Sequence, residues 1–161
     1  MSDLKKQLRQ LDMSKLKLKN GKALGQELKN HAEILCDCIM HELDKVYDFY
    51  TPTTYVRTFD LYDSLYIDKL RLDISTGGAS LSIRLTFDDE GAIHKSLDGN
   101  DVNVAILLNE GWQTHGAFKD VPYFGWRSGT KFIDKGIEEY KRKVPNSFPV
   151  RLTINDEERM F

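Results

Sequence analysis

The sequence predicts an α+β domain in which a long N-terminal helix packs on a mostly antiparallel sheet, with a second helix and a C-terminal strand. Apolar residues recur at helical spacing between residues 20 and 50, and they alternate with polar residues in several short segments after residue 70. The chain has 161 residues, of which 40% are hydrophobic, enough for one sizeable core. We therefore expect a single α+β domain over residues 20–161, preceded by a basic N-terminal arm or short helix at residues 1–19.

The start of the chain is basic and the segment after it is acidic. Residues 1–30 contain eight basic and three acidic side chains, whereas residues 31–68 contain two basic and eight acidic ones. Near the start, Leu4, Leu8 and Leu11 form an apolar stripe at helical spacing that is too short to be stable alone in water. The pattern fits either a solvated helix followed by ordinary surface or an arm that docks on an acidic neighbouring subunit.

The main helix is expected to begin near residue 20 and to end at about residue 50. Pro52 stops it, because the residue before a proline is disfavoured in the helical conformation. The positions of its core face recur every three or four residues, as in an amphipathic helix. They are Leu24, Leu28, His31, Leu35, Ile39, Leu43, Val46 and Tyr50.

The middle of the chain predicts short strands. After a helical turn at residues 61–65, apolar and polar residues alternate over residues 70–74 and 81–87, and Gly77-Gly78 between them favours an antiparallel hairpin. Residues 88–91 predict a turn, and residues 92–97 a weaker strand.

The last third of the chain is less regular. Periodicity does not decide between strand and helix for the apolar run at residues 102–108, and residues 111–129 are predicted as a glycine-rich, aromatic loop. Residues 131–143 have helical spacing, and residues 148–154 alternate as a final strand.

Composition argues against several functions. The formal net charge of −2 provides no field to attract nucleic acid or an anionic membrane. No apolar run approaches the roughly 18 residues of a membrane span, and Met1-Ser2-Asp3-Leu4-Lys5-Lys6 leads into no signal-peptide core. Cys36 and Cys38 are too close in sequence to link distant parts of a fold, which is typical of a reducing compartment. We expect the protein to be made and kept in the cytoplasm.

Candidates for chemistry are weak. Cys36, Cys38 and His41 are residue types that zinc prefers, but on a helix only Cys38 and His41 share a face, and two ligands do not make a site. The simpler interpretation is two small buried apolar residues. No Cys–His catalytic set and no phosphate-binding glycine motif is present in the sequence. No catalytic, cofactor-binding or metal-binding residue is therefore predicted, and no cofactor.

Aromatic residues concentrate in two segments, which favours protein interfaces. A platform for stacking nucleic-acid bases would need interleaved basic residues, but the first segment is acidic. The alternative is that the rings fill the core of this domain. The segments contain Tyr47, Phe49, Tyr50, Tyr55, Phe59, Tyr62 and Tyr66, and then Trp112, Phe118, Tyr123, Phe124 and Trp126.

Arg57 stands alone as a basic residue between Lys45 and Lys69 and is surrounded in sequence by carboxylates. Its guanidinium is expected to bridge carboxylates or to cap helix carbonyls in the turn after the main helix.

Three segments together resemble a known family. They are the sequence YDFYTPTTYVRT at residues 47–58 with the following Leu61 and Ser64-Leu65, VAILLNEGW at residues 104–112, and GTKFI at residues 129–133. In order and spacing they are similar to the head–tail joining or tail-completion proteins of tailed bacteriophages, over roughly residues 22–143.

The resemblance implies a non-enzymatic virion protein that forms a ring between the neck and the tail. Its expected partners are copies of itself and neighbouring neck, portal or tail-tube proteins. Neither membrane binding nor specific nucleic-acid binding is expected, although packaged DNA would pass through the ring. The expected location is the head–tail interface of the virion, with the host cytoplasm before assembly.

The two aromatic segments supply the candidate interface residues for such a ring. A different class of function also fits the acidic middle and the aromatic surface, namely a small phage-encoded intracellular binding protein or inhibitor of a host enzyme. The candidates are Tyr55, Arg57, Tyr62, Trp112, Phe118, Tyr123, Phe124 and Trp126.

Overall fold

The structure, a computed structural model, describes residues 23–49, 60–75, 78–95, 99–118, 121–154 and 157–161. The helices are α1 (Leu24–Phe49), α2 (Asp60–Asp63), α3 (Asp89–Ala92), α4 (Val104–Glu110) and α5 (Phe132–Lys143). The strands are β1 (Leu65–Ile67), β2 (Arg71–Ser75), β3 (Gly78–Ser82), β4 (Leu85–Phe87), β5 (Ile93–Lys95), β6 (Asp101–Asn103), β7 (Gly111–Phe118), β8 (Val121–Ser128), β9 (Arg151–Ile154) and β10 (Glu157–Met160).

The core lies between α1 and α5. Leu43 of α1 and Phe132 of α5 are fully buried, and Ile39 and Ile137 are nearly so. Gly136 allows the two helices to approach closely, because a Cβ at that position would lie only 2.7 Å from the Cα of Ile39. The predicted main helix is confirmed as α1 where the structure describes it, and the predicted helix at residues 131–143 is confirmed as α5.

A polar contact joins the same two helices nearer the start of α1. The hydroxyl of Tyr140, a residue that is 2% exposed, lies 2.8 Å from Nδ1 of His31 and accepts the backbone N–H of Phe148 at 3.2 Å. The ring of His31 also meets the ring of Phe148 edge to face, with centroids 4.7 Å apart. Burial raises the pKa of the Tyr140 phenol. The apolar stripe of α1 thus includes a hydrogen-bonded histidine.

The α+β class is confirmed, with strands arranged as antiparallel two-stranded ladders. The pairs within the described residues are β1–β4, β2–β3, β5–β6, β7–β8 and β9–β10. The predicted final strand is shorter than expected, and β10, which the sequence did not predict, folds back on it.

Two predictions in the middle of the chain need correction. The expected single strand at residues 81–87 is divided, because β3 pairs with β2 whereas β4 pairs with β1. Alternation continues through both strands and therefore does not show where the partner changes. The expected turn after β4 contains helix α3, whose first turn is capped by the Asp88 carboxylate, which accepts the N–H of Glu90 at 3.4 Å.

The predicted loop at residues 111–129 is wrong. These residues form the longest ladder among the described residues, an antiparallel hairpin of two eight-residue strands, β7 and β8. Glycine and aromatic residues suggest a loop, but pairing across the hairpin binds the backbone groups that face the partner strand. The undecided run before it is resolved as β6 followed by α4.

No helix in the described ranges is both long and apolar enough to cross a bilayer.

The close approach at Gly136 predicts that Gly136→Ala destabilises the fold. Alanine improves helix propensity by about 1 kcal/mol, but its Cβ would lie under 3 Å from backbone atoms of Ile39, so we expect a net loss of about 1–3 kcal/mol in urea unfolding. Gly25→Ala is the matched control, because its Cβ would meet only the flexible end of Leu70 at 3.2 Å. Equal stability of the two variants would contradict this account.

Candidate interaction site at the base of the hairpin

Helix α4 leads directly into the hairpin. The Asn103 side chain caps its start by accepting the N–H of Ile106 at 3.1 Å. At its end, Gly111 has φ 93°, a value that favours glycine, and the Gly111 N–H donates to the carbonyl of Leu107. The chain therefore leaves α4 abruptly and begins β7 in the next residue.

Asn109 holds this end of α4 to the start of α5. Its side chain is fully buried, and its Oδ1 accepts the N–H of Ile133 at 2.9 Å. Its Nδ2 donates to Glu110 at 2.7 Å and to Asp134 at 2.8 Å. The amide thus joins two helices that are separated in sequence by the whole hairpin, and its hydrogen-bonding groups are satisfied although it is buried.

Charged groups surround the Asn109 amide. Lys131 and Arg159 each bind Glu110, and the Arg159 guanidinium also donates to Asp134 at 2.6 Å. Burial by itself raises the pKa of Glu110, but the hydrogen bonds from Lys131, Arg159 and Asn109 outweigh that effect and lower the pKa to about 2. We call these five residues, Asn109, Glu110, Lys131, Asp134 and Arg159, the clasp.

The returning strand is fixed at the same place. After β8, the backbone N–H and the hydroxyl of Thr130 both donate to the carbonyl of Leu108 at 2.8 Å, and the Lys131 N–H donates to the carbonyl of Asn109 at 3.1 Å. A Cβ at Gly129 would overlap the backbone of Asn109, so this crossing requires glycine. Both ends of the hairpin are thereby tied to the last turn of α4.

The register of the hairpin separates its aromatic residues into two sets. Trp112 faces Arg127 across the ladder, and Gln113 faces Trp126. Because successive residues of a strand belong to opposite faces, Trp112, Phe118 and Tyr123 share one face, and Phe124 and Trp126 share the other. Trp112 and Trp126, both candidate interface residues, therefore occupy ladder positions on opposite faces.

The remaining predicted interface residues are distributed differently. Tyr62, in α2, is half-buried and packs against the core. Tyr55 and Arg57 lie outside the described residues, and so does the expected bridge from Arg57 to carboxylates. Among the described candidates, Tyr62 is not part of the clasp.

The cysteines lie on α1. Cys38 is buried and Cys36 half-buried, and burial raises the pKa of both thiols. Across the residues that the structure describes, no group of three or more His, Cys, Asp or Glu side chains is placed to hold a metal ion.

Sequence reasoning missed the clasp as a unit. In the sequence, Glu110 and Gly111 mark only the end of an apolar stretch, and Lys131 lies within a segment that starts a helix. The available signal was Asn109, a polar residue inside a helical apolar run. Arg159 offered no signal, because it reaches Glu110 across 49 positions of sequence.

Comparisons with known proteins found no matching family model, no similar curated protein and no similar solved structure.

Loss of the buried amide is expected to destabilise the protein strongly. Asn109→Ala removes the acceptor of the Ile133 N–H and leaves that donor buried, so we expect a loss of about 2–4 kcal/mol in urea unfolding. Asn103→Ala, which removes only a helix cap, should cost about 1 kcal/mol. If Asn109→Ala cost no more than Asn103→Ala, the clasp would not have the role described.

The low pKa of Glu110 predicts a specific dependence of stability on pH. Because the folded pKa of about 2 lies below the ordinary value of 4.5, the carboxylate stabilises the fold above pH 4.5, and this contribution is lost as the pH falls towards 2. Its upper limit is about 3 kcal/mol, and solvent screening of the partly exposed ions reduces it to about 1–2 kcal/mol.

We therefore expect Glu110→Gln to be less stable than wild type at pH 7 and to approach wild-type stability near pH 2. Unfolding by urea at several pH values measures the difference. Glu138→Gln, at an exposed position of α5, is the control and should follow the wild-type curve. A difference between Glu110→Gln and wild type that does not change with pH would contradict the ionic role.

Proposed function

We propose that this chain is a non-enzymatic structural subunit of the head–tail interface of a tailed phage. It would act as a tail-completion or connector protein that assembles into a ring and docks between neck and tail. The observation that carries the proposal is the β7–β8 hairpin, which is fixed at its base by the clasp and has aromatic residues on both faces.

The hairpin is suited to assembly for two physical reasons. A two-stranded ladder is marginally stable by itself in water, so it gains stability when another surface covers it. Tyrosine and tryptophan bury a large area and retain one polar atom, which makes them common at protein interfaces. The clasp orients the hairpin relative to α4 and α5, and a fixed orientation reduces the ordering cost of docking.

The placement at the head–tail interface rests on the three sequence segments that resemble that family. Two of them contribute to the same structural unit. Residues 104–112 contain α4 with Asn109 and Glu110, and residues 129–133 contain the return of the chain from Gly129 to Lys131. Contact between two segments that lie apart in sequence supports their interpretation as one motif.

Mass spectrometry of purified virions tests the proposal most directly. We expect the chain to be present in a fixed number of copies per particle, consistent with a ring. Absence from particles, together with tight binding to one host protein, would instead favour the alternative of an intracellular binding protein or inhibitor.

The two faces of the hairpin predict independent interface losses. Trp112→Ala and Trp126→Ala should each leave the circular dichroism of the subunit unchanged, because the clasp does not include them. Each should reduce incorporation into particles, since truncating a buried interface tryptophan costs about 2 kcal/mol or more. Met160→Ala is the control, because Met160 is an exposed apolar residue outside the hairpin, 62% exposed. Unfolding of the subunit by either tryptophan substitution would place that ring in the core.

A further inference from the structure

An open groove lies against the first half of α1. Three half-buried aliphatic side chains line it, and charged residues of α1 and of the β1–β2 connection surround them. Its volume is about 470 Å³. An apolar groove with a charged rim suits the apolar side of an amphipathic helix. The aliphatic residues are Ile67, Leu70 and Ile83, and the charged ones are Lys29, Glu33, Asp68 and Lys69.

The groove is close to the point where the N-terminal segment joins α1. A Cβ at Gly25, the second residue of α1, would lie 3.2 Å from Cδ2 of Leu70, which lines the groove. Residues 1–22 lie outside the described residues and end two positions before α1 begins. This segment is therefore attached to the chain beside the groove.

One exposed face of α1 is acidic. Glu33, Asp37, Asp44 and Asp48 are exposed and follow one another at intervals of four, seven and four residues, which places them on one side of the helix. None of them forms an ion pair with another described residue. Like charges four residues apart destabilise a helix unless opposite charges are near. Because Glu33 also lines the groove, the groove adjoins this acidic face.

The N-terminal segment has complementary chemistry. Residues 1–22 contain seven basic and two acidic side chains. The apolar stripe of Leu4, Leu8 and Leu11 has Lys5 and Arg9 beside it, four residues apart like Glu33 and Asp37. A helix this short is not stable alone in water, so it requires an apolar surface to pack on.

We infer that residues 4–11 dock as a helix in the groove of their own chain. The three leucines then cover the aliphatic residues, and Lys5 and Arg9 approach the acidic face of α1. The chain is long enough, because residues 12–22 span up to about 36 Å when extended, whereas Glu33 is about 12 Å along α1 from Gly25.

The tether favours the same chain over a second copy. A short flexible linker gives an effective concentration on the order of millimolar, which exceeds that of a free second copy at ordinary protein concentrations. The acidic partner of the basic arm is then α1 of its own subunit and not a neighbouring subunit. The inference does not depend on the proposed function, because the arm docks whether or not the subunit assembles.

Hydrogen exchange of the full chain, followed by mass spectrometry, tests the docking. We expect the N–H groups of residues 4–11 to exchange about tenfold more slowly than in an unstructured chain. Leu8→Ser, in the arm, and Ile83→Ser, in the groove, should each remove this protection, and circular dichroism checks that the domain remains folded. Absence of protection in wild type would overturn the inference.

Neutralising the acidic face tests the charge complementarity at exposed positions that the fold does not need. The double variant Glu33→Gln, Asp37→Asn should reduce protection of residues 4–11 by about threefold. Asp89→Asn, Glu90→Gln is the matched control, because it removes the same two kinds of charge from exposed positions of α3 and should leave protection unchanged. Equal effects of the two double variants would overturn the assignment to α1.

A mixing experiment distinguishes the same chain from a second copy. Ile83→Ser copies retain an intact arm, and Leu8→Ser copies retain an intact groove. If each arm docks on its own chain, mixing the two variants should restore no protection. Renewed protection of residues 4–11 in the Ile83→Ser copies would show that arms are exchanged between subunits and would overturn the inference. If Ile83→Ser does not fold, the Glu33→Gln, Asp37→Asn variant takes its place in the mixture.

Discussion

The fold around the hairpin depends on one buried amide. Asn109 is fully enclosed, and its carbonyl and amino groups are bound by the Ile133 N–H, Glu110 and Asp134. A buried polar group without partners is costly, so the end of α4, the start of α5 and the two acidic side chains have little freedom relative to one another. The hairpin lies between these two helix ends, and the same contacts therefore define where both of its strands begin and end.

The charges around the amide extend this constraint to the C-terminus. Arg159 in β10 binds Glu110 and Asp134, so the last ladder is attached to the same point as α4 and α5. Lys131 lies between the hairpin and α5 and has a left-handed backbone conformation, with φ 56°. Its side chain binds Glu110, and its N–H donates to the carbonyl of Asn109. Local contacts of this kind are what allow a non-glycine residue to hold an unfavourable backbone conformation.

How much of this was predictable depends on the range of the interactions. Helices α1 and α5 followed from the sequence because their apolar period persists over many residues and a proline follows each of them. The division between β3 and β4 did not, because alternation records which face is buried but not which strand is the partner. The hairpin was missed because its stability comes from cross-strand pairing, which composition does not show. The clasp joins residues from α4, α5 and β10, and no local pattern contains that information.

The clasp reduces the ordering cost of docking the hairpin. Docking a two-stranded ladder requires ordering its backbone and orienting it. Both steps cost entropy and make association less favourable. The clasp supplies orientation in the isolated subunit, because Asn109, at the end of α4 just before β7, accepts the N–H of Ile133 in the first turn of α5. α5 in turn packs against α1 through the close contact at Gly136. The hairpin is therefore held in its orientation by the main core and not by a loop. In the proposed assembly, Asn109 would therefore act without touching a partner, by fixing where the hairpin lies.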